Sequence, residues 1–197
     1  MASLFDTLQA NAFRAGVTAR TKKSREWFQS KVKELGKVNR QDLLKDTALD
    51  PTTREIAGSM YMYFYDPKTK KTLPYYDRFP LVIMVEQAKG GFYGLNLHYL
   101  RPDIRAEFLD KLMNLAPKKL NDRSRVVKMK YDLLKDVQKY KEFKPCFKHY
   151  LTGHIKSKMV RVPMTEWEIA VFLPTEQFSK ASKSKVWAES IKIAKRK

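Results

Sequence analysis

Apolar and polar residues follow two different patterns along this chain, and each pattern predicts a different element. In the middle of the chain, apolar and aromatic residues form short dense runs that stop at turn residues, which is typical of strands. These runs are residues 59–65, 79–86 and 92–99, separated by the turn formers Asp66-Pro67 and Gly90-Gly91. The pattern predicts one strand followed by a β-hairpin.

Elsewhere, apolar residues recur at the three-to-four residue spacing of amphipathic helices. Residues 3–35 predict helices interrupted at Gly16, and Asp103 is a good starting residue for another helix. A further helix is predicted over 121–140, and Thr175 is predicted to cap a last one. We interpret the N-terminal stretch as an extension that packs only partly on the domain.

These elements predict an α+β fold, in which a small antiparallel sheet or SH3-like barrel over about residues 58–100 is flanked by basic amphipathic helices. A chain of 197 residues is long enough for one packed core with extensions. We divide it into a basic helical N-terminal extension (1–45), an α+β core domain (46–180) and a basic C-terminal helix or tail (181–197).

Charge adds a prediction about partners, because 40 Lys and Arg residues against 21 Asp and Glu give a net charge of +19. Residues 46–117 are neutral, whereas residues 118–161 carry a net charge of +10. Such a surplus favours a polyanionic partner, and nucleic acid is the densest common polyanion. The alternatives are an acidic protein neighbour and a protein that is simply basic without a charge-dependent partner, and the sequence leaves both open.

The strongest candidate binding region lies where cations alternate with aromatic rings, because phosphate-pairing cations and stacking rings are what backbone and single-strand binders need. Helical spacing places Tyr131 and Tyr140 of this region on the apolar face, so the cations are the better candidates. The predicted nucleic-acid-binding residues are Arg20, Lys22, Lys23, Arg25, Arg123, Arg125, Lys128, Lys135, Lys139, Lys148, Lys156, Lys158 and Arg161. The basic tail from Lys180 onward fits either a binding role or ordinary exposed surface.

Cys146, His149 and His154 have a spacing that zinc ligands use. A structural zinc site needs four ligands, and only His98, from a separate strand, could add another nitrogen. We therefore expect no metal and no cofactor, with Cys146 buried and the histidines at the surface. A single cysteine also excludes an internal disulfide and suits a reducing compartment.

Enzymatic activity has little support in the sequence, which lacks the glycine-rich nucleotide loops, the G-x-S-x-G elbow and the H-E-x-x-H motif. Glu142 and Lys144 match the short E-x-K element of one nuclease class, with Asp132 and Asp136 upstream. That element lies on a strand in the nuclease class, whereas here it falls at a predicted helix end. A metal-dependent nuclease is therefore the third hypothesis.

Four phrases of the sequence resemble a family of small virion-associated proteins of large contractile-tailed bacteriophages. They are MYMYFYDPKTKKTLPYYDRFPLV, GGFYGLNLHYL, FKPCFKHYL and TEWEIAVFLPTEQF, within about residues 55–180. The resemblance implies a structural or DNA-associated component of the neck, the baseplate or the packaged DNA end, found in the host cytoplasm and the virion. A protector of DNA ends against host exonuclease would suit the charge. The resemblance implies no role for any individual residue.

The leading hypothesis is a non-enzymatic protein that binds nucleic acid, with DNA preferred, by gripping the phosphate backbone. The alternative is a structural subunit of a phage neck, tail or baseplate assembly, whose basic surface meets acidic virion proteins. In that case the loop Tyr75–Phe79 is an exposed interface anchor, since Tyr and Arg are common at binding hot spots. For Phe79, packing in the core is the alternative. No membrane partner is expected, because no long apolar run and no signal peptide are present.

Overall fold

The computed structural model of the protein describes residues 3–19, 21–52, 56–114 and 143–195. It has the predicted mixture of helices and an antiparallel sheet. The strands are β1 (Asp50–Thr52), β2 (Met60–Met62), β3 (Tyr76–Asp77), β4 (Leu81–Ala88), β5 (Gly91–Asn96), β6 (Phe147–Leu151), β7 (Met159–Val162) and β8 (Phe178–Ser179). The helices are α1 (Leu4–Arg14), α2 (Lys22–Glu34), α3 (Arg40–Leu43), α4 (Pro102–Asn114), α5 (Trp167–Phe172) and α6 (Lys183–Lys195).

Six strands form the main sheet in the order β1-β7-β2-β4-β5-β6, and β3 pairs with β8 in a separate two-stranded sheet. The predicted hairpin is confirmed, since β4 and β5 pair antiparallel and Gly90 turns the chain with a φ of 75°. β5 ends earlier than predicted, because the Asn96 side chain accepts a hydrogen bond from the His98 backbone N–H at 3.0 Å. This bond starts a 3₁₀ helix over Leu97–Tyr99.

The sheet does not close, so the SH3-like barrel considered from the sequence is wrong. β1 and β6 lie at the two edges of the sheet. The connection from β6 to β7 contains a 3₁₀ helix at Thr152–His154 and makes one isolated bridge, between Tyr65 and Ile155. A single bridge is not the continuous ladder that a closed barrel requires.

Side chains alternate between two hydrophobic clusters along the central strands, as the period of a β-strand requires. In β2, Met60 and Met62 belong to the main core, whereas Tyr61 points into a second cluster on the other face. Every one of these three side chains is fully buried. The sheet therefore has no free face at its centre, which is why its strands read as nearly unbroken apolar runs.

The N-terminal helices contribute directly to the main core. Phe5 and Leu8 of α1 are buried in it, and Phe28 of α2 stacks on Phe172 of α5 at 6.3 Å between ring centroids. The predicted interruption at Gly16 is confirmed by its φ of 64°. These helices pack more completely than the partial packing that we predicted. The three-segment division of the chain stays a prediction.

Three other helix predictions differ in outcome. The helix predicted from Asp103 is confirmed as α4, while the helix predicted over 121–140 lies outside the described residues. The predicted cap at Thr175 is wrong, because α6 begins only at Lys183. Thr175 is instead buried, where its hydroxyl lies 3.1 Å from Nε2 of His98. Of the helices that the structure describes, none is long and apolar enough to cross a bilayer.

Candidate nucleic-acid interface

The first predicted group of cations lies at the start of α2. Lys22 and Lys23 are exposed in the first turn, which a capping box between Thr21 and Ser24 holds in place. Arg25 is engaged elsewhere, since its guanidinium forms an ion pair with Asp110 of α4. Lys22 and Lys23 are therefore the members of this group that face solvent. Arg20 lies outside the described residues.

The second predicted group lies entirely in the part of the chain that the structure does not describe. It comprises Arg123, Arg125, Lys128, Lys135 and Lys139, which remain predictions. Glu142, one of the two residues named for the nuclease hypothesis, falls in the same stretch, as do Asp132 and Asp136.

The third predicted group lies on β6, β7 and their connection, and its members differ in environment. Lys148 is turned inward, with its Nζ 4.4 Å from the centroid of the Tyr99 ring, and burial lowers the pKa of its ammonium group. Arg161 pairs with Asp50 across the β1–β7 ladder at 2.9 Å. Lys156 and Lys158 are exposed on the connection.

Lys156 lies at the rim of a groove that the sequence analysis did not predict. Backbone hydrogen bonds build it by joining four segments of the chain, which contain Phe64, Arg78, Lys156 and Gln177. The Lys156 N–H donates to the carbonyl of Phe64 at 2.7 Å, and the Tyr65 N–H donates to the carbonyl of Arg78 at 2.9 Å. The Arg78 N–H in turn donates to Gln177 at 2.8 Å. Arg78 is therefore fixed by its backbone while its side chain is exposed.

The groove consists of two adjoining cavities that share the side chains of Phe64 and Arg78 as walls. One has a volume of about 400 Å³ and the other of about 560 Å³. We call this pair of cavities the Arg78 groove. Its lining residues are Lys37, Val38, Asn39, Arg40, Gln41, Phe64, Tyr65, Asp66, Lys70, Tyr76, Arg78, Lys156, Gln177 and Ser179.

Positive charge dominates the lining of the Arg78 groove. Its acidic residue, Asp66, is paired with Lys70 at 2.8 Å, and the hydrogen bond from Lys70 lowers the pKa of the Asp66 carboxyl. Within the described part of the chain, the side chains of Lys37, Arg78 and Lys156 have no ion-pair or hydrogen-bond partner. Three unpaired cations thus line a concave surface, which favours an anionic ligand.

A buried polar network next to the groove holds Arg78 in place, and its centre is Asp77. The two oxygens of this carboxylate accept hydrogen bonds from the backbone N–H groups of Phe79 (3.0 Å) and Gln177 (3.1 Å) and from the Asn96 amide (3.2 Å). Nδ1 of His98 completes the set at 2.7 Å. These interactions join β3, β5 and the segment before β8, and so fix the backbone from which Arg78 projects.

Arg105 is a second buried charge of this network and is fully shielded from solvent. Its guanidinium donates to the carbonyls of Leu100 at 2.8 Å and Val171 at 3.3 Å. Glu176 lies 3.7 Å away as its counter-charge. Burial lowers the pKa of Arg105, although the charge of Glu176 opposes this shift. Sequence patterns carried no signal for Arg105, because arginine side chains are rarely fully buried.

The loop Tyr75–Phe79, predicted as an exposed interface anchor, is only partly exposed. Phe79 is fully buried and Asp77 is 4% exposed, whereas Arg78 between them faces solvent. Arg78 and Phe79 follow β3 in a bend, where the Phe79 N–H donates to the Asp77 carboxylate at 3.0 Å. The loop therefore presents Arg78 at the surface beside the half-buried rings of Tyr75 and Tyr76.

Some of the candidate zinc ligands are buried and others are exposed, so they do not form one cluster. Cys146 is buried and His149 is exposed, as we expected, but His98 is fully buried in contact with Asp77. Among the residues that the structure describes, no three His, Cys, Asp or Glu side chains are placed to hold a metal ion.

Cys146 should be chemically inert in the folded protein. Burial raises the pKa of its thiol to about 12, so almost no thiolate is present near neutral pH. We expect an aromatic disulfide reagent at pH 8 to label native protein at least about a hundredfold more slowly than protein unfolded in guanidinium chloride. Equal labelling rates in the two states would contradict the buried position of Cys146.

Comparison with known families adds an observation independent of the geometry. The family model described as the phage T4 terminal DNA protecting protein matches residues 2–194. The chain belongs to this terminal DNA protecting protein family. The match covers almost the whole chain and confirms the resemblance to DNA-end-protecting phage proteins. Neither the curated proteins nor the solved structures provide a significant match to this member of the family.

Proposed function

We propose that this protein protects the ends of phage DNA by binding them, without catalysing a reaction. The observation that carries the proposal is the match of residues 2–194 to the terminal DNA protecting protein family. A net charge of +19 supports it, because DNA phosphates attract such a surface and release counterions on binding. Occupying the terminus is sufficient for protection, since an exonuclease must load there before it can cleave.

The proposed contacts are made to phosphates, so that they hold DNA of any sequence. Lys22, Lys23, Lys156 and Lys158 support this role because they are exposed on helix and connection backbones. Arg161 is a weaker contributor because it shares its charge with Asp50. We leave Arg25 and Lys148 out of the proposed interface, since each already has a partner in the fold. The remaining members of the proposed set are Arg20, Arg123, Arg125, Lys128, Lys135 and Lys139.

Protection of linear DNA from an exonuclease tests this function. Linear duplex DNA is incubated with the protein and then with a processive exonuclease that starts at duplex ends, and the surviving full-length DNA is measured. We expect survival of the DNA to rise with protein concentration and to fall steeply with salt concentration. Each phosphate contact should contribute about −0.9 to the slope of log affinity against log salt concentration. Complete degradation at saturating protein would overturn the proposal.

Two controls separate end protection from other effects. A closed circular DNA treated with an endonuclease should be degraded at the same rate with and without the protein, because it has no end to occupy. General coating of DNA would instead slow both enzymes. Incubation of the linear DNA with protein and Mg²⁺ alone should leave it intact, and its loss would favour the nuclease alternative.

A further inference from the structure

We propose that the Arg78 groove is a binding site for the single-stranded end of a DNA chain. This inference rests on the proposed function and names the surface that would hold the terminus. No sequence pattern indicates the groove, because Arg78 belongs to a stretch with no net charge, residues 46–117. The groove exists only because the fold brings Arg78 beside Lys156 and Lys37.

The charge of the groove suits consecutive phosphates along one strand. Arg78 stands between the two cavities, Lys156 lines the smaller cavity and Lys37 lines the larger one. A strand that passes from one cavity to the other would meet an unpaired cation in each and Arg78 between them. The planar guanidinium of Arg78 can also bind two oxygens of one phosphate at once.

The aromatic lining distinguishes a single strand from a bare phosphate. Phe64 is half-buried and forms a wall of both cavities, and Tyr76 lines the smaller one. The Phe64 ring is held edge-on against buried Phe79, with 4.9 Å between the centroids. A ring fixed in this way offers a surface for an unpaired base, and stacking of this kind is tolerant of sequence. A paired base inside a duplex could not reach it.

The groove is organised before any ligand binds. Its floor is tied together by the backbone hydrogen bonds of Phe64, Tyr65 and Arg78, and Asp77 anchors the same strand from inside. The turn that carries Lys70 is fixed as well, since Nζ of Lys180 donates to the carbonyls of residues 70, 71 and 73 at 2.7 to 3.0 Å. A rigid site loses little entropy on binding, so its few contacts can give useful affinity.

The size of the two cavities agrees with this occupant. Volumes of about 400 Å³ and 560 Å³ fall within the range of about 300–1,000 Å³ typical of small-molecule sites, which suits one nucleotide in each. We therefore expect the groove to hold the last nucleotides of a strand, while the cations elsewhere on the protein contact the duplex behind it.

Charge-neutralising variants of the groove test the proposal. Binding of a short fluorescent single-stranded oligonucleotide is measured by anisotropy for the wild-type protein, Arg78→Gln, Lys156→Gln and the double variant. We expect about a tenfold loss of affinity for Arg78→Gln, and a larger loss for the double variant. The slope of log affinity against log salt concentration should become less steep by about 0.7 for each phosphate contact removed.

Matched variants control for total charge and for folding. Lys185→Gln removes one exposed positive charge on α6, outside the groove, and should bind the oligonucleotide within about twofold of wild type. Phe64→Leu keeps an apolar side chain against Phe79 but removes the ring, and we expect about a tenfold loss without a change in salt slope. The Arg78 side chain has no partner among the described residues, so Arg78→Gln should have the melting temperature of the wild type. An unchanged melting temperature shows that the variant is folded.

The outcome separates this inference from the proposed function. If wild-type protein protects DNA ends and the double variant binds the single strand as wild type does, the groove is not the site and the function stands. Equal losses for Lys185→Gln and Arg78→Gln would also overturn the groove, because binding would then follow total charge. If wild-type protein fails to protect ends, the proposed function falls, and the oligonucleotide binding alone decides whether the groove binds DNA.

Discussion

Replacement of Asp77 by alanine is expected to lower the free energy of unfolding by about 3–5 kcal/mol, because it removes one half of a buried, hydrogen-bonded pair. Four donors lose their acceptor: the backbone N–H groups of Phe79 and Gln177, the Asn96 amide and His98 Nδ1. Each buried donor left unpaired costs about 1–3 kcal/mol. Urea denaturation followed by circular dichroism measures the loss.

A surface carboxylate provides the control for Asp77. Asp66 is exposed to solvent and pairs with Lys70 on the same turn, so Asp66→Ala should leave stability nearly unchanged. A second control, Asp77→Asn, keeps the shape of the side chain but cannot accept from all four donors as a carboxylate does. Similar stabilities for Asp77→Ala and Asp66→Ala would show that the buried network contributes little.

The stability that Asp77 provides should depend on pH in a defined direction. Burial raises the pKa of Asp77, but the neighbouring His98 and the donated hydrogen bonds outweigh it and leave the pKa below the ordinary 3.8. A pKa depressed by folding means that the carboxylate stabilises the protein above the unfolded pKa, and that this stabilisation is lost as the pH falls through the folded pKa. The difference between wild type and Asp77→Ala should therefore shrink below about pH 4.

Replacement of Gly91 by alanine is expected to cost about 3 kcal/mol or more, because the new methyl group would overlap backbone atoms. A Cβ at this position would lie 1.8 Å from the carbonyl oxygen of Tyr150 and 2.9 Å from Cα of Leu151. Backbone atoms cannot rotate away as a side chain can, so β5 and β6 would have to separate at this point. The shift in denaturation midpoint, at constant m-value, measures the cost.

Gly153 is the matched control for Gly91, since a Cβ there would meet nothing within 4 Å. Gly153→Ala should therefore have almost the wild-type stability. The two variants also connect stability with the groove, because β6 leads into the connection that carries Lys156. We expect Gly91→Ala to weaken oligonucleotide binding and Gly153→Ala to preserve it. Equal stability of the two variants would contradict the close approach of β5 to β6.

Local features of the fold could be predicted from the sequence because their signals lie within a few residues of each other. The β4–β5 hairpin follows from an apolar run and Gly90-Gly91, and the break between α1 and α2 follows from Gly16. The helix cap predicted at Thr175 is wrong because a threonine that could cap a helix can equally be buried beside a histidine. Its partner, His98, is distant in sequence, and no local pattern records that contact.

Composition determined that this protein carries a large positive charge. The order of apolar and polar residues predicted an α+β fold, and characteristic aromatic phrases pointed to its phage family. The tertiary structure decided which of the described cations are unpaired and which already contact another side chain. Arg25 forms an ion pair with Asp110, and Lys148 contacts the ring of Tyr99. Arg78, which belongs to a neutral stretch of the sequence, lines the same groove as Lys156. The physical reason is that charge is additive along a sequence, whereas a binding surface depends on long-range backbone pairing, which only the folded chain contains.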